Sequence, residues 1–106
     1  MIAKTPNPPY YAVIFTTLRT DIDEGYEDTA LKMEELAKQQ EGYLGIESAS
    51  SDVGITVSYW KSVEAIIKWK NNMEHTMARE KGKAIWYKQY QLRICKVERD
   101  YGFERH

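Results

Sequence analysis

The chain has 106 residues, of which 42% are apolar and 29% are charged, and its formal net charge at pH 7 is −1. These values are ordinary for one soluble globular domain. A net charge this close to zero creates no global field that would attract nucleic acid or an anionic membrane. The longest apolar run, Tyr10 to Phe15, is too short to span a bilayer, so we expect no membrane partner.

The first nine residues have the composition of an extended arm, because Pro6, Pro8 and Pro9 disfavour regular structure. This arm contains no apolar segment of the kind found in signal peptides. The chain has one cysteine, Cys95, which excludes an intrachain disulfide and suits a reducing compartment. We therefore expect a cytoplasmic protein.

A strand and a helix are predicted next. Tyr10–Leu18 is rich in β-branched and aromatic residues and is apolar on both faces, which is typical of a strand that is covered on both sides. Asp21 and Asp23 are candidates for the helix N-cap, and Gly42 is the expected left-handed stop. The apolar residues at helical spacing are Tyr26, Ala30, Met33 and Ala37.

The middle of the chain predicts a β-hairpin. Tyr43–Ser50 forms the second strand, and Ile55–Trp60 alternates in side-chain character as a third strand. The connection Ser51–Gly54 is short, which favours direct antiparallel pairing of the two strands.

A second helical region follows the hairpin. Ser62 is its expected N-cap, and the helix should reach about Lys81, with Gly82 as the stop. Asn71 and Asn72 interrupt the pattern, and asparagine favours helix caps over helix interiors, so the sequence predicts a break at this point.

Tyr90–Asp100 is the final strand, and the order β-α-β-β-α-β predicts a ferredoxin-like α+β fold with an antiparallel sheet over residues 10–101, followed by a tail at 102–106. Two helices cover only one face of a four-stranded sheet. Since the first and last strands are apolar on both faces, we expect a homodimer that packs sheet against sheet.

The charge is −6 over residues 1–53 and +5 over residues 54–106. This asymmetry fits two solvated faces, and it also fits opposite faces that meet across a dimer.

The second half of the chain carries most of the candidate binding residues. Core packing is the commoner role of any one aromatic side chain, but as a group they can line a pocket for a flat aromatic ligand. They are Tyr59, Trp60, Trp69, Trp86, Tyr87 and Tyr90. His75 is most simply a surface residue, and the alternatives are a pocket acid or base and an axial haem ligand. The sequence contains no second histidine or cysteine near it, so we expect no metal site.

An RNA-binding domain has the same order of elements and needs a separate test. Such a domain carries a basic, glycine and aromatic run on its third strand. The third strand here reads Val53 to Tyr59 as VGITVSY, which lacks the basic residue and the stacking pair. We therefore expect no nucleic-acid partner.

Several runs together resemble the antibiotic biosynthesis monooxygenase family over about residues 10–101. The residues that carry this resemblance are Gly42-Tyr43-Leu44-Gly45-Ile46-Glu47, Gly54 to Ser62 (GITVSYWKS), Trp69, His75, Trp86-Tyr87 and Cys95 to Arg99 (CKVER). The resemblance implies a dimeric α+β barrel, in agreement with the order of the elements. It also implies a cofactor-independent monooxygenase that oxidises a small aromatic or quinol-type substrate with O₂.

The same resemblance implies a set of site residues. Trp69 would be a pocket wall, and His75 and Arg93 would be the polar groups that help deprotonation or bind the anion. Tyr59 and Trp86 would complete the walls. In this chemistry the protein holds a flat anion in a dry pocket and stabilises its charge.

Two alternatives stay open from the sequence. A branch of the same family binds and degrades haem, with an Asn on the first strand, a Trp on the second helical region and a His ten residues later. Trp69 matches that pattern, Tyr10–Leu18 contains no Asn, and the position ten residues after Trp69 is Arg79, so His75 would have to serve as the ligand. The other alternative is a non-catalytic, ligand-binding dimeric module.

Overall fold

The computed structural model describes residues 1–79 and 85–105. The bounds of its helices and strands are β1 Tyr10–Arg19, α1 Tyr26–Gln39, β2 Tyr43–Ser50, β3 Gly54–Trp60, α2 Val63–Arg79 and β4 Tyr87–Val97. The predicted α+β order is confirmed. β4 begins earlier than the predicted Tyr90 because the first strand is longer than predicted and pairs Arg19 with Tyr87, after a register irregularity between Leu18 and Arg19.

The strands form an antiparallel sheet in the order β2-β3-β1-β4. Side chains alternate between the two faces of each strand. Register therefore places Val13 and Phe15 of β1 on one face, and Ala12 and Ile14 on the other. Both helices pack on the face that carries Val13, since the core cluster joins it to Met33 of α1 and to residues of α2. We call this side the helix face and the other side the open face.

The start of α1 differs from the prediction. Its N-cap is Gly25, with φ of 80° and no side-chain cap, instead of Asp21 or Asp23. The Asp23 carboxylate accepts a hydrogen bond from Arg19 at 3.0 Å, so it does not cap the helix. The Asp23 carbonyl accepts the Tyr26 N–H at 2.9 Å, and this bond closes the turn before the helix.

Helix α2 continues through Asn71 and Asn72, so the predicted break is wrong. Both asparagines are exposed, and Asn72 donates to the side chain of Gln40 at 3.3 Å. The residues on either side, Trp69 and Met73, are buried in the core. Tertiary packing of that face outweighs the small propensity cost of two solvated asparagines.

The predicted start of α2 can be compared with the structure, but its predicted end cannot. Ser62 is confirmed as its cap, because the Ser62 hydroxyl accepts the N–H of Ala65 at 3.1 Å. Lys81 and Gly82, the predicted end and stop, lie outside the described residues. α2 reaches at least the end of its described range, at Arg79.

Trp60 is the bulkiest of the fully buried side chains among the described residues, with 0% exposure. Its indole N–H donates to the Ser58 hydroxyl at 2.9 Å, so its one polar group is satisfied. Its ring stacks on Trp69 with centroids 6.1 Å apart and contacts Tyr43 edge-on at 5.7 Å. Trp60 thus connects the sheet to α2.

The N-terminal arm lies against one corner of the open face. The Ala3 N–H donates to the Glu47 carboxylate at 2.9 Å, and the Tyr59 hydroxyl donates to it at 2.7 Å. These two hydrogen bonds, from Tyr59 first, lower the pKa of Glu47. Burial, together with the bond to Glu47, raises the pKa of Tyr59 to about 12. Tyr59 is therefore a neutral donor and Glu47 a charged acceptor at neutral pH.

Within the described part of the chain, no helix combines the length and the apolar character needed to cross a membrane.

Gly42 gives a test of the turn that joins α1 to β2. Its φ is 89°, and a Cβ built there would lie 2.7 Å from the Cβ of Ala65. We expect Gly42→Ala to lower the free energy of unfolding by about 2 kcal/mol, because both backbone strain and a side-chain clash result. Urea unfolding measures the change.

The control for this experiment is Gly102→Ala, since a Cβ at Gly102 meets nothing within 4 Å. We expect it to change stability by less than about 0.5 kcal/mol. Equal stability of the two variants would show that the left-handed turn at Gly42 is not formed as described.

Candidate functional site

A cavity of about 710 Å³ lies between the helix face of the sheet and the two helices. Its floor includes hydroxyl groups from two strands, those of Thr17, Thr56 and Ser58. Its roof includes Met33 of α1 and Trp69 of α2. The helix side of the cavity is therefore mainly apolar, with Glu34 and Lys70 as its charged members, and the sheet side is partly polar.

Small residues leave the space for this cavity. Ala30 and Ala37 of α1 line it, and so do Ser48 of β2 and Ser58 of β3. Larger side chains at these positions would fill the gap between helix and sheet at normal packing density. The prediction of a pocket between sheet and helices is supported by this geometry.

Trp69 is held rigidly in the cavity wall. Only 8% of its surface is exposed, and its ring lies nearly parallel to that of Trp60, at an interplanar angle of 20°. Trp60 is itself fixed by its bond to Ser58. A flat wall with a fixed plane favours a flat ligand, because stacking does not require the wall to reorganise.

Two tyrosines line the cavity where α1 begins and β4 begins. Tyr26 and Tyr87 have ring centroids 6.1 Å apart, and the two rings meet edge-on. Burial, and then the neighbouring Tyr26 hydroxyl, raises the pKa of Tyr87. The Arg19 guanidinium carbon lies 3.3 Å from the centroid of the Tyr26 ring. This corner of the cavity thus combines two phenol groups with a nearby cation.

The tyrosine pair was missed as a site by sequence reasoning. Tyr26 was assigned to the apolar spacing of the first helix, and Tyr87 to an aromatic group whose commoner role is packing. The two residues lie in α1 and β4, and only the tertiary fold brings their rings together. No local spacing signal could have paired them.

His75 is not brought together with Trp69. It is exposed on α2 and is not among the residues that line the cavity. The reason is the unbroken helix, in which six residues correspond to a rotation of about 240°. Trp69 faces the sheet, and His75 consequently faces away from it.

Tyr59 and Arg93 lie on the open face, across the sheet from the cavity. Tyr59 pairs with Ala12, and Arg93 pairs with Ile14, so both share the side of the sheet that the helices leave uncovered. Strand alternation decides this placement, because Ser58 takes the helix face in β3. The expected substrate contacts of Tyr59 and Arg93 are not part of the described cavity.

Trp86 does not line the cavity, but it packs against Tyr26, which does. It is 4% exposed, and its indole N–H donates to the Glu24 carbonyl at 2.9 Å. Its own carbonyl accepts hydrogen bonds from Arg19 at 3.2 Å and from Thr20 at 2.9 Å. The Tyr26 ring contacts it edge-on at 5.7 Å, so Trp86 helps to fix the position of Tyr26.

The residues of the cavity do not fit a haem that is held by His75. Among the described residues that line it there is no histidine and no cysteine, so the wall supplies neither an imidazole nor a thiolate to iron. His75 lies on the exposed side of α2, and Cys95 pairs with Ala12 on the open face. In the same part of the chain no three metal-binding side chains come together.

A curated relative is found over nearly the whole chain. The sequence is 48% identical over 105 residues to YqjZ of Bacillus subtilis (strain 168), which is described as uncharacterized, and the match covers 97% of this chain and 92% of that protein. No family model matches the sequence.

Solved structures share the fold at low sequence identity. SnoaB from Streptomyces nogalater, a cofactor-independent oxygenase, has a TM-score of 0.69 at 6% identity, with coverage of 86% of this chain and 95% of its own. PA3566 from Pseudomonas aeruginosa has a TM-score of 0.66 at 14% identity, with coverage of 91% and 99%. A candidate antibiotic biosynthesis monooxygenase from Bordetella bronchiseptica has a TM-score of 0.63 at 14% identity, with coverage of 82% and 95%. At these identities the likeness shows the fold alone.

The placement of Trp69 and His75 gives a binding test. We expect Trp69→Leu to weaken the binding of 1-naphthol about three- to tenfold, since an aromatic pair contributes about 0.5–1.5 kcal/mol beyond burial. His75→Leu should leave binding unchanged, because His75 lies outside the cavity. Isothermal calorimetry measures both. Equal weakening by the two changes would place the ligand elsewhere.

Proposed function

Because the chain belongs to the same protein family as YqjZ of Bacillus subtilis and has the fold of antibiotic biosynthesis monooxygenases, we propose that it is a cofactor-independent monooxygenase. Its substrate would be a small aromatic or quinol-type molecule, oxidised by O₂. The observation that carries this proposal is the cavity between sheet and helices, with Trp69 fixed in its wall.

The size and lining of the cavity support a small-molecule substrate. A volume of about 710 Å³ falls within the range of about 300–1,000 Å³ that is usual for ligand pockets. A mainly apolar roof, with Trp69 and Met33 in it, and a few polar residues on the floor suit a flat ring system that carries oxygen substituents. A non-catalytic module with a filled interior would lack such a space at Trp69.

The proposed reaction needs no external reductant. A phenol with a free para position reacts with one O₂ to give a quinone and one water. One oxygen atom becomes the new carbonyl, the other leaves as water, and the substrate supplies all four electrons and both hydrogens. The description of SnoaB as a cofactor-independent oxygenase supports the proposal that no cofactor is required here.

The protein's contribution would be to bind and orient the substrate anion. Trp69 holds the ring plane, and the hydroxyl groups of Thr17 and Thr56 are polar partners on the floor. Hydrogen bonds to a developing negative charge are most effective in a site from which water is excluded. This is how the chain's own residues would promote electron transfer to O₂.

We also propose that the protein is a homodimer that packs through the open face. One row across this face reads Glu47, Val57, Ile14 and Arg93, from the β2 edge to the β4 edge. A two-fold axis parallel to the strands would place each Glu47 opposite the Arg93 of a second copy, and each Val57 opposite its Ile14. This charge complementarity favours a second copy of the chain as the partner. The free thiol of Cys95 suits a reducing cytoplasm, where we place the protein.

Oxygen consumption tests the proposed activity. We expect the wild-type protein to consume one O₂ per quinone formed with at least one of 1-naphthol and anthrone, with one labelled oxygen atom incorporated from ¹⁸O₂. Trp69→Leu should lower kcat/KM at least threefold, for the reason given for binding. An O₂ electrode and mass spectrometry measure the two quantities. Tight binding of these probes without O₂ uptake would favour the non-catalytic ligand-binding module.

Light scattering after size exclusion tests the dimer. We expect the wild-type protein to have twice the mass of the 12.4 kDa chain at about 10 μM. Val57→Glu should give a monomer, because it buries two unpaired charges at the centre of the proposed interface. The matched control is Val63→Glu, on α2, where the side chain is 37% exposed. A wild-type monomer, or a dimer that survives Val57→Glu, would contradict the proposed interface.

A further inference from the structure

The tyrosine pair is built from two elements that begin at the same end of the cavity. Tyr26 is the first residue of α1, and Tyr87 is the first residue of β4. Both line the cavity, and their rings meet edge-on at an interplanar angle of 78°. Tyr87 is 8% exposed, so its hydroxyl group belongs to the interior.

The surroundings hold both rings in place. Tyr26 lies between the Arg19 guanidinium, at 3.3 Å, and the Trp86 ring, at 5.7 Å. Tyr87 contacts Phe15 edge-on at 6.0 Å and Tyr90 at 5.8 Å. Groups that are fixed before a ligand arrives lose little conformational entropy on binding. The pair is therefore preorganised.

The two hydroxyl groups can donate more hydrogen bonds than one bond between them would use. Each tyrosine hydroxyl has one donor hydrogen and acceptor lone pairs. A hydrogen bond between the two neighbouring hydroxyl groups would use only one of these two hydrogens. As a unit, the pair can donate the second hydrogen to a ligand oxygen. The Arg19 guanidinium carbon lies 3.3 Å from the centroid of the Tyr26 ring, so a positive charge stands next to the pair.

The pair and Trp69 occupy different parts of the same cavity. Trp69 stacks on Trp60, whose strand partner in β1 is Tyr11, whereas Tyr87 pairs with Arg19 at the other end of β1. The cavity thus has a flat apolar wall towards one end and two phenol groups towards the other. A ligand with a ring system and an oxygen substituent has one orientation that satisfies both.

We propose that the Tyr26–Tyr87 hydroxyl pair is the recognition point for the hydroxyl or oxyanion group of an aromatic ligand, whose rings extend from there towards Trp69. This inference rests on the proposed use of the cavity as a ligand site, and it adds the residues that select for the oxygen substituent. Arg19 acts through Tyr26 and is a positioning residue.

The experiment compares two probes that differ only in the group to be recognised. 1-Naphthol carries a hydroxyl where 1-methylnaphthalene carries a methyl group of similar size. Calorimetry gives the affinity of each probe for the wild-type protein, Tyr26→Phe, Tyr87→Phe and the double variant. Tyr43→Phe is the matched control, because Tyr43 is half-buried and contacts Trp60 but does not line the cavity. Thermal unfolding confirms that each variant is folded.

We expect the wild-type protein to prefer 1-naphthol, and the double variant to lose about five- to tenfold in affinity for 1-naphthol alone. The affinity for 1-methylnaphthalene should stay the same in every folded variant. Tyr43→Phe should change neither affinity. A loss of preference is a result that a purely structural role of the two rings would not produce.

The contrary outcomes separate this inference from the proposed function. An unchanged preference in the double variant, with wild-type binding intact, would overturn the role of the pair and leave the cavity as a ligand site. An equal loss for both probes would show that the hydroxyl groups only stabilise the wall, and would also overturn the role. A wild-type protein that binds neither probe would overturn the ligand site itself, and the inference with it.

Discussion

The alternation of side chains along β1 divides the molecule into two compartments. β1 lies between β3 and β4, so both of its edges are hydrogen-bonded to neighbouring strands. Its side chains can therefore point only to one face of the sheet or to the other. Val13 and Phe15 face the helices, and Ala12 and Ile14 face the other way. Two helices supply enough apolar surface for one of these faces only. The cavity and the uncovered face therefore have the same cause. The helices cover the face that carries Val13 and Phe15, and the face that carries Ala12 and Ile14 stays uncovered.

The regular elements could be predicted because their signals are local. The apolar run of β1, the short hairpin and the left-handed Gly42 each depend on a few neighbouring residues, and each is present in the structure. The errors occurred where tertiary packing overrides a local preference. Asp23 accepts a hydrogen bond from Arg19, whose side chain also donates to the distant Trp86 carbonyl, and Asn72 lies at the surface of a helix whose other side is buried. Neither the approach of Trp86 nor the buried side of the helix follows from local propensity.

The site was harder to predict than the fold for a geometric reason. Trp69 lines the cavity as predicted, because a large apolar side chain on a helix is driven towards the core. Polar residues have no such driving force. The direction in which they point therefore depends only on their position in the helical or strand repeat. Because α2 has no break, His75 points to solvent. Because side chains alternate along β4, Arg93 points to the face of the sheet opposite the cavity. The structure therefore places Trp69 in the cavity wall and places His75 and Arg93 outside the cavity.

In the corner formed by Arg19, Tyr26, Trp86 and Tyr87, the contacts that stabilise the fold also fix the groups of the proposed recognition site. Arg19 bonds to the Asp23 side chain and to the carbonyls of Ile22 and Trp86, so it closes the loop before α1. The same guanidinium lies against Tyr26, one of the two hydroxyl-bearing rings of the cavity. The loop is thus closed by the residue that contacts the Tyr26 ring, and the order that folding imposes on this corner is the order that the proposed recognition would need. In that proposal the selectivity would come from the fixed position of the donors and not from a movement on binding.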